Sequence, residues 1–163
     1  MKRIGLRTFV VMAAVLMMLA FIETASAQHP RREARGRAMT KQQVKAVINR
    51  VEDRVDNFVK NFDRSLDHSR LNGSSKENWL MTRARDLERS TDELASEFDK
   101  RDAWIDNKDE TRRCLNIATD IDRNMRANRY GGGTERNWNN VRFELNTLAD
   151  IYNLPRVGAN VYK

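Results

Sequence analysis

Apolar side chains recur every three or four residues in four stretches of this chain. The first set consists of Val44, Val47, Ile48, Val51, Val55, Phe58, Val59, Phe62 and Leu66. This spacing places all of them on one face of an α-helix. Thr40 precedes the set and Gln43 follows three residues later, so the two side chains can form a capping box. The pattern predicts a first helix from near Lys41 to near Leu71.

The other three stretches keep the same spacing. They consist of Leu80, Ala84, Leu87, Thr91, Leu94 and Phe98 in the second, Cys114, Ile117, Ala118, Ile121 and Met125 in the third, and Trp138, Val141, Leu145, Leu148 and Tyr152 in the fourth. Ser74 or Ser75 is placed to cap the second helix. Three glycines at 131–133 end the third because glycine readily adopts the left-handed conformation, and the fourth ends before Pro155.

Four amphipathic helices without strand-like alternation predict an all-α fold. A single antiparallel four-helix bundle over residues 40–154 buries all four apolar faces in one core, and residues 155–163 form a C-terminal tail. At this length the bundle buries enough apolar surface to fold without disulfides or metals.

Large apolar side chains near the predicted helix ends suggest how the core is closed. Trp104 and Ile105 lie in the polar connection between the second and third helices, and we expect both to cover the core. Trp79 and Trp138 each lie in the first turn of a helix, where they can cover its end. An exposed aromatic binding pair is the alternative for these two tryptophans.

Two segments share one sequence pattern, LNGSSKENW and YGGGTERNW. Residues 54–79 align with residues 113–138 without a gap, at a constant offset of 59 positions. The identical pairs are Arg54/Arg113, Asn57/Asn116, Asp63/Asp122, Arg64/Arg123, Arg70/Arg129, Gly73/Gly132, Asn78/Asn137 and Trp79/Trp138. We interpret the bundle as two duplicated helical hairpins. Convergence on glycine and an N-cap at a helix–helix turn is the alternative.

The repeated Asp-Arg dipeptide supplies the candidate site. Asp63-Arg64 and Asp122-Arg123 directly follow core positions, so each aspartate is expected at the boundary of the buried face. One interpretation makes the four residues a symmetric polar site. The other makes them interhelical ion pairs that fix the helix register.

The N-terminus has the three parts of a secretory signal peptide, predicted to span residues 1–27. A basic segment, MKRIGLR, precedes an apolar run at 8–22 and a small-x-small site, Ala25-Ser26-Ala27. A retained membrane anchor is the alternative, but the apolar run is shorter than the roughly 20 residues that span a bilayer. Cleavage near Ala27 leaves a chain without a transmembrane segment that is periplasmic or extracellular.

Residues 28–39 form a basic arm without apolar periodicity, which predicts disorder. Its basic side chains are Arg31, Arg32, Arg35 and Arg37. They stand against a single glutamate and give the arm a charge of +3, while the signal contributes +2, so the rest of the chain carries +2 of the total of +7. The arm is either a contact for an anionic envelope surface or a solubilising spacer. We do not predict nucleic acid as a partner, because the basic charge is local.

The residues of familiar catalytic and cofactor sites do not form their usual patterns. The two histidines, His29 and His68, lie outside any Glu-x-x-His, haem-attachment or zinc motif, and 131–133 does not fit a phosphate-binding loop. Cys114, the single cysteine, occupies an apolar helix position and is expected to be buried. We therefore predict neither enzymatic activity nor a cofactor.

FDRSLDHSRLNGS at 62–74 and WNNVRFELNTLADIYNL at 138–154 resemble a group of small bacterial proteins. The members of this group carry signal peptides and predicted all-helical domains and have no assigned activity. The resemblance covers most of Val44 to Leu154 and implies a bacterial exported protein. It supplies no functional residues.

The sequence favours a non-enzymatic protein that acts by binding or structural association at the cell envelope, with an unknown protein partner. A periplasmic chaperone or stress protein is the alternative and would need exposed apolar area. A bundle that binds haem or a metal through His68 is a third class.

Overall fold

The structure, a computed structural model, describes residues 39–159, which form four α-helices. Helix α1 is Lys41–Asp67, α2 is Ser75–Lys100, α3 is Lys108–Ala127 and α4 is Gly132–Ile151. A 3-10 helix, Trp104–Asn107, joins α2 to α3. No strand occurs within these residues, so the all-α prediction is confirmed. The predicted signal peptide, the arm up to residue 38 and residues 160–163 lie outside the described part.

Side-chain caps begin the first two helices. The Thr40 hydroxyl accepts from the Gln43 N–H at 3.2 Å, and Gln43 Oε1 accepts from the Thr40 N–H at 2.9 Å. This reciprocal pair is the predicted capping box, and it satisfies two backbone donors that the helix cannot. Ser74, the first of the two candidate serines, caps α2 by accepting from the Glu77 N–H at 3.1 Å.

The helices pack in sequence order around one core. Helices α1 and α3 each pack against both α2 and α4. The Lys41 ammonium donates to the Arg101 carbonyl, which joins the start of α1 to the end of α2. Lys76 Nζ donates to Asn128 Oδ1 at 3.2 Å, which joins the start of α2 to the end of α3. Neighbouring helices are therefore antiparallel, and the predicted four-helix bundle is confirmed.

An aromatic cluster closes the end of the core beside the α3–α4 connection. The rings of Phe58 and Phe62 stack with centroids 4.9 Å apart. Trp138 of α4 meets Phe58 at 5.1 Å, and Tyr130 meets Phe62 edge-on at 5.4 Å. All four side chains are buried, and truncating such a phenylalanine to alanine costs about 3–5 kcal/mol. Trp138 thus covers the end of the core, as predicted.

Of the two side chains in the α2–α3 connection that were expected to cover the core, only Trp104 does so. Trp104 packs edge-on against Tyr152 with centroids 5.5 Å apart, and its carbonyl accepts from the Tyr152 hydroxyl at 2.9 Å. Ile105 is 49 % exposed, so the prediction that it covers the core was wrong. The 3-10 helix allows this difference, because its residues at 104 and 105 point in different directions.

Three helix boundaries differ from the predicted ones, and one of them is the end of α3, which lies at Ala127 rather than at Tyr130, directly before the glycines. Helix α1 ends at Asp67 rather than near Leu71, and the residues after it form turns. Among the three consecutive glycines, only Gly131 has a positive φ, of 88°. Gly132 and Gly133 already belong to the first turn of α4. A single glycine therefore makes the reversal, and the other two begin the next helix.

The core extends beyond both predicted limits of the bundle. Val157 is 4 % exposed, and its N–H donates to Asn146 Oδ1 at 2.8 Å. Arg156 makes two hydrogen bonds to the Asp150 carboxylate, at 2.7 and 2.6 Å. Residues 155–159, the C-terminal segment, therefore pack back on the bundle. Met39, which the sequence assigned to the arm, is also buried.

Candidate functional site

Asp122 is the most buried acidic side chain in the described part of the chain, with 1 % exposure. Its Oδ1 accepts from Trp138 Nε1 at 3.0 Å and from Arg142 Nη1 at 3.3 Å. Arg126 Nε lies 2.8 Å from Oδ2. Two guanidinium groups thus compensate one buried carboxylate, which is the condition for keeping such a charge inside a protein. Helices α3 and α4 are joined through this aspartate.

The other candidate residues do not share this environment. Asp63 is exposed, and its carboxylate makes no hydrogen bond or ion pair within residues 39–159. The Arg64 guanidinium donates only to Asn61 Oδ1, at 3.4 Å. Arg123 pairs with Asp120 at 3.1 Å rather than with its buried neighbour. The structure therefore does not bring the two Asp-Arg dipeptides together into one symmetric site.

The two tryptophans that match in sequence differ in burial, and this difference explains why Asp122 and Asp63 lie in different environments. Trp138 is 2 % exposed and donates its indole N–H to Asp122, whereas Trp79 is 42 % exposed. The Arg83 guanidinium lies 5.9 Å from the centroid of the Trp79 ring. The prediction that both tryptophans cover the core was wrong for Trp79. Whether the hairpins arose by duplication stays a prediction, but they are not equivalent at these positions.

Two partners of Asp122 were not identified from the sequence. Arg126 lies four residues after it on α3, and this spacing brings oppositely charged side chains together on a helix. That signal could have been found. Arg142 lies on α4, and its contact depends on how the two helices pack, which local sequence does not encode.

A cleft of about 780 Å³ runs between α3 and the C-terminal segment. Leu115 and Leu154 contribute apolar side chains to its lining. Gly158, whose φ is +72°, passes so close that a Cβ there would overlap Arg126 Nη2 and Asp122 Oδ2. The buried aspartate therefore forms part of the lining, with its charge already compensated.

Arginine is the charged residue that recurs in this cleft. The cleft-lining arginines are Arg112, Arg123, Arg126 and Arg156. The carboxylates that pair with three of them, Asp109, Asp120 and Asp150, are not part of the lining. The cleft thus presents more positive than negative charge.

The opposite charge gathers along the α1–α2 groove. Glu52, Asp53 and Asp56 of α1 face Glu88 and Asp92 of α2. Burial and neighbouring carboxylates raise the pKa values of Glu52, Glu88 and Asp92 above the usual range. These shifts indicate repulsion within the group. We call these five residues the acidic group.

Cys114 is fully buried, as expected from its place in the apolar pattern. Its thiol donates to the Ser90 carbonyl at 3.3 Å and lies 3.2 Å from the Ser90 hydroxyl. Burial raises the pKa of this thiol to about 11. A thiol that is neither accessible nor ionised near neutral pH is a poor nucleophile.

His68 is exposed at the end of α1, where its Nδ1 lies 2.8 Å from the Arg64 carbonyl. Within residues 39–159, no three His, Cys, Asp or Glu side chains are grouped so that they could hold a metal ion. None of the described helices is both long enough and apolar enough to cross a membrane.

Comparisons of the chain with protein-family models, with curated proteins and with solved structures gave no match. The arginines of the basic arm lie outside the described residues. Within residues 39–159, the polar arrangements that could be functional are the Asp122 centre, the arginine-lined cleft and the acidic group.

Proposed function

We propose that this chain is an exported, non-enzymatic protein that acts by binding or structural association at the cell envelope. The observation that supports the proposal is the distribution of charge. Four arginines within residues 28–39 give the arm a charge of +3, whereas the much longer remainder after it carries +2. The basic charge is therefore concentrated directly before a nearly neutral bundle, next to the start of α1.

Electrostatic attraction between the basic arm and an anionic envelope surface sets the strength of the proposed binding. A basic side chain near an anionic lipid surface contributes about 1 kcal/mol, so an arm with a net charge of +3 gains roughly 3 kcal/mol. That free energy corresponds to a dissociation constant of about 6 mM. The arm then works as a weak, salt-sensitive contact that holds the bundle near a surface. The phosphates of phospholipids and of anionic envelope polymers offer the same chemistry.

A chaperone ranks second among the candidate functions, because the core of the bundle is closed. The apolar stripes of α1 to α4 pack against one another, and most of the core side chains are fully buried. A chaperone surface requires a large exposed apolar patch. The large apolar side chains exposed in the described part are Trp79, Ile105 and Phe143, which belong to three different elements.

Vesicle binding tests the role of the arm. The chain from Gln28 would be sedimented with phosphatidylglycerol vesicles and with phosphatidylcholine vesicles at low and high salt. The test variant replaces all four arm arginines by glutamine. The control replaces four exposed arginines of residues 39–159 that form no ion pair: Arg54, Arg64, Arg70 and Arg136.

We expect binding to the anionic vesicles alone, and we expect the test variant to lose it while the control keeps it. Equal loss in both variants would mean that only net charge matters, and the arm would then be a spacer. Export is checked separately by N-terminal sequencing of the protein from the exported fraction of a bacterial host. A mature chain that begins at Gln28 is the expected result, and a retained N-terminus would contradict the proposal.

A further inference from the structure

The outer face of α3 carries a polar stripe that follows the cleft. The stripe consists of Arg112, Asn116, Thr119, Arg123 and Arg126, all of which line the cleft. Their positions advance in alternating steps of four and three, which keeps them on one side of the helix. Over these positions the helix rises about 21 Å. The stripe therefore has arginines at both of its ends and the neutral polar side chains of Asn116 and Thr119 between them.

The size and lining of the cleft suit a small molecule. Its volume of about 780 Å³ lies within the roughly 300–1,000 Å³ that is typical of ligand pockets. Such pockets combine apolar surface with a few polar groups that fix orientation. Leu115 and Leu154 provide apolar surface here, and the arginines provide the polar groups.

Several guanidinium donors in the cleft remain available. Arg126 uses Nε toward Asp122, and Arg156 uses Nε and Nη2 toward Asp150. These contacts hold the two side chains in place without using all their donors. A planar guanidinium with free N–H groups is matched to the oxygens of a carboxylate or a phosphate.

The other two arginines can change partners at little cost. Arg112 pairs with Asp109 and Arg123 with Asp120, and in each of these pairs at least one side chain is largely exposed. Exposed ion pairs contribute only about 0–1 kcal/mol. A ligand oxyanion in the cleft can therefore replace either carboxylate.

From this arrangement we propose that the cleft between α3 and the C-terminal segment binds a small soluble molecule with two or more oxyanion groups. Arg126 and Arg156 form the fixed part of the site. Arg112, at one end of the stripe, and Arg123, three residues before the other end, close on the ligand. The proposal does not rest on the basic arm.

Backbone NMR of the chain from Gln28 tests this site, with citrate and inorganic pyrophosphate as probes at constant ionic strength. We expect saturable shifts of the amides of Asn116, Thr119 and Gly158. The test variant is Arg112→Gln with Arg123→Gln, which leaves the partners of Asp122 intact. The matched control, Arg54→Gln with Arg64→Gln, makes the same change in net charge on α1.

The test variant should weaken binding of the better probe by about tenfold, because charge-assisted hydrogen bonds are lost, while the control changes it less than about twofold. Tighter binding of citrate would assign carboxylate chemistry, and tighter binding of pyrophosphate would assign phosphate chemistry. Equal weakening in both variants, or no saturable shift at these amides at millimolar probe, would overturn the proposal. Shifts confined to the arm would do the same and would leave the proposed function standing.

Discussion

At the scale of single residues, Asp122 and Asp63 lie in different environments. Asp122 is buried and accepts from Trp138 and Arg142 while pairing with Arg126, whereas Asp63 is exposed. Removing one partner of a buried ion pair costs about 3–5 kcal/mol. Asparagine keeps an oxygen that can accept from the indole, so part of that loss is recovered.

We therefore expect Asp122→Asn to lower the free energy of unfolding by about 2–3 kcal/mol. Asp63→Asn, the matched control, should change it by less than about 0.5 kcal/mol. Urea unfolding followed by circular dichroism measures both. Equal losses would mean that Asp63 has a partner in solution and that the two hairpins are more alike than the structure indicates.

The limits of prediction at this scale have a physical cause. Both aspartates follow a core phenylalanine or isoleucine and precede arginine, so their local sequences place them alike. What differs is the facing helix, where Trp138 points inward and Trp79 points outward. Burial of Cys114 was predictable because it depends on helical periodicity alone.

At the scale of helical elements, the carboxylates of the acidic group in the α1–α2 groove repel one another. The pKa of Glu52 is raised, first by burial and then by Asp92, Asp56 and Asp53. A raised carboxyl pKa means that the folded state binds more protons than the unfolded state between the two pKa values. Stability therefore falls as the pH rises through that window, and the loss persists above it.

Replacing Glu52 by glutamine should raise the melting temperature at pH 7, because it removes a desolvated charge from the acidic group. The gain should shrink as the pH falls toward the ordinary glutamate pKa, where the wild-type side chain is also protonated. Asp102→Asn, in an exposed position of the α2–α3 connection, controls for the change in net charge. Calorimetry across this pH range provides the measurement. A gain that is independent of pH, or equal in the control, would contradict the expectation.

Helical elements were predicted better than their ends. Apolar spacing identified all four helices, and the Thr40–Gln43 box located the start of α1, because a cap is a local interaction. The ends of α1 and α3 were predicted three to four residues too late. The first turn of α4 was missed because a glycine run is compatible with either a turn or a helix start. The polar stripe of α3 could not be predicted from the sequence, because only the packing of the C-terminal segment shows that its residues share a cleft.

At the scale of the whole molecule, the C-terminal segment completes the bundle. Val157 packs into the core, and its backbone N–H is held by Asn146 of α4. Truncating Val157 to alanine removes two buried methyl groups and leaves a small cavity. We expect a loss of about 1.5 kcal/mol in the free energy of unfolding, with a melting temperature several degrees lower.

Cys114 reports whether this loss affects the whole bundle. Its thiol is fully buried and has a pKa of about 11, so a thiol reagent should label it near neutral pH only when the bundle opens. If opening is global, Val157→Ala should speed labelling by about tenfold, in line with the lost stability. Ile105→Ala, at an exposed aliphatic position, should leave both the melting temperature and the labelling rate nearly unchanged. An unchanged labelling rate in Val157→Ala despite a lower melting temperature would mean that Cys114 is reached by local opening of α2 and α3, and the C-terminal segment would then be a separate stabilising element.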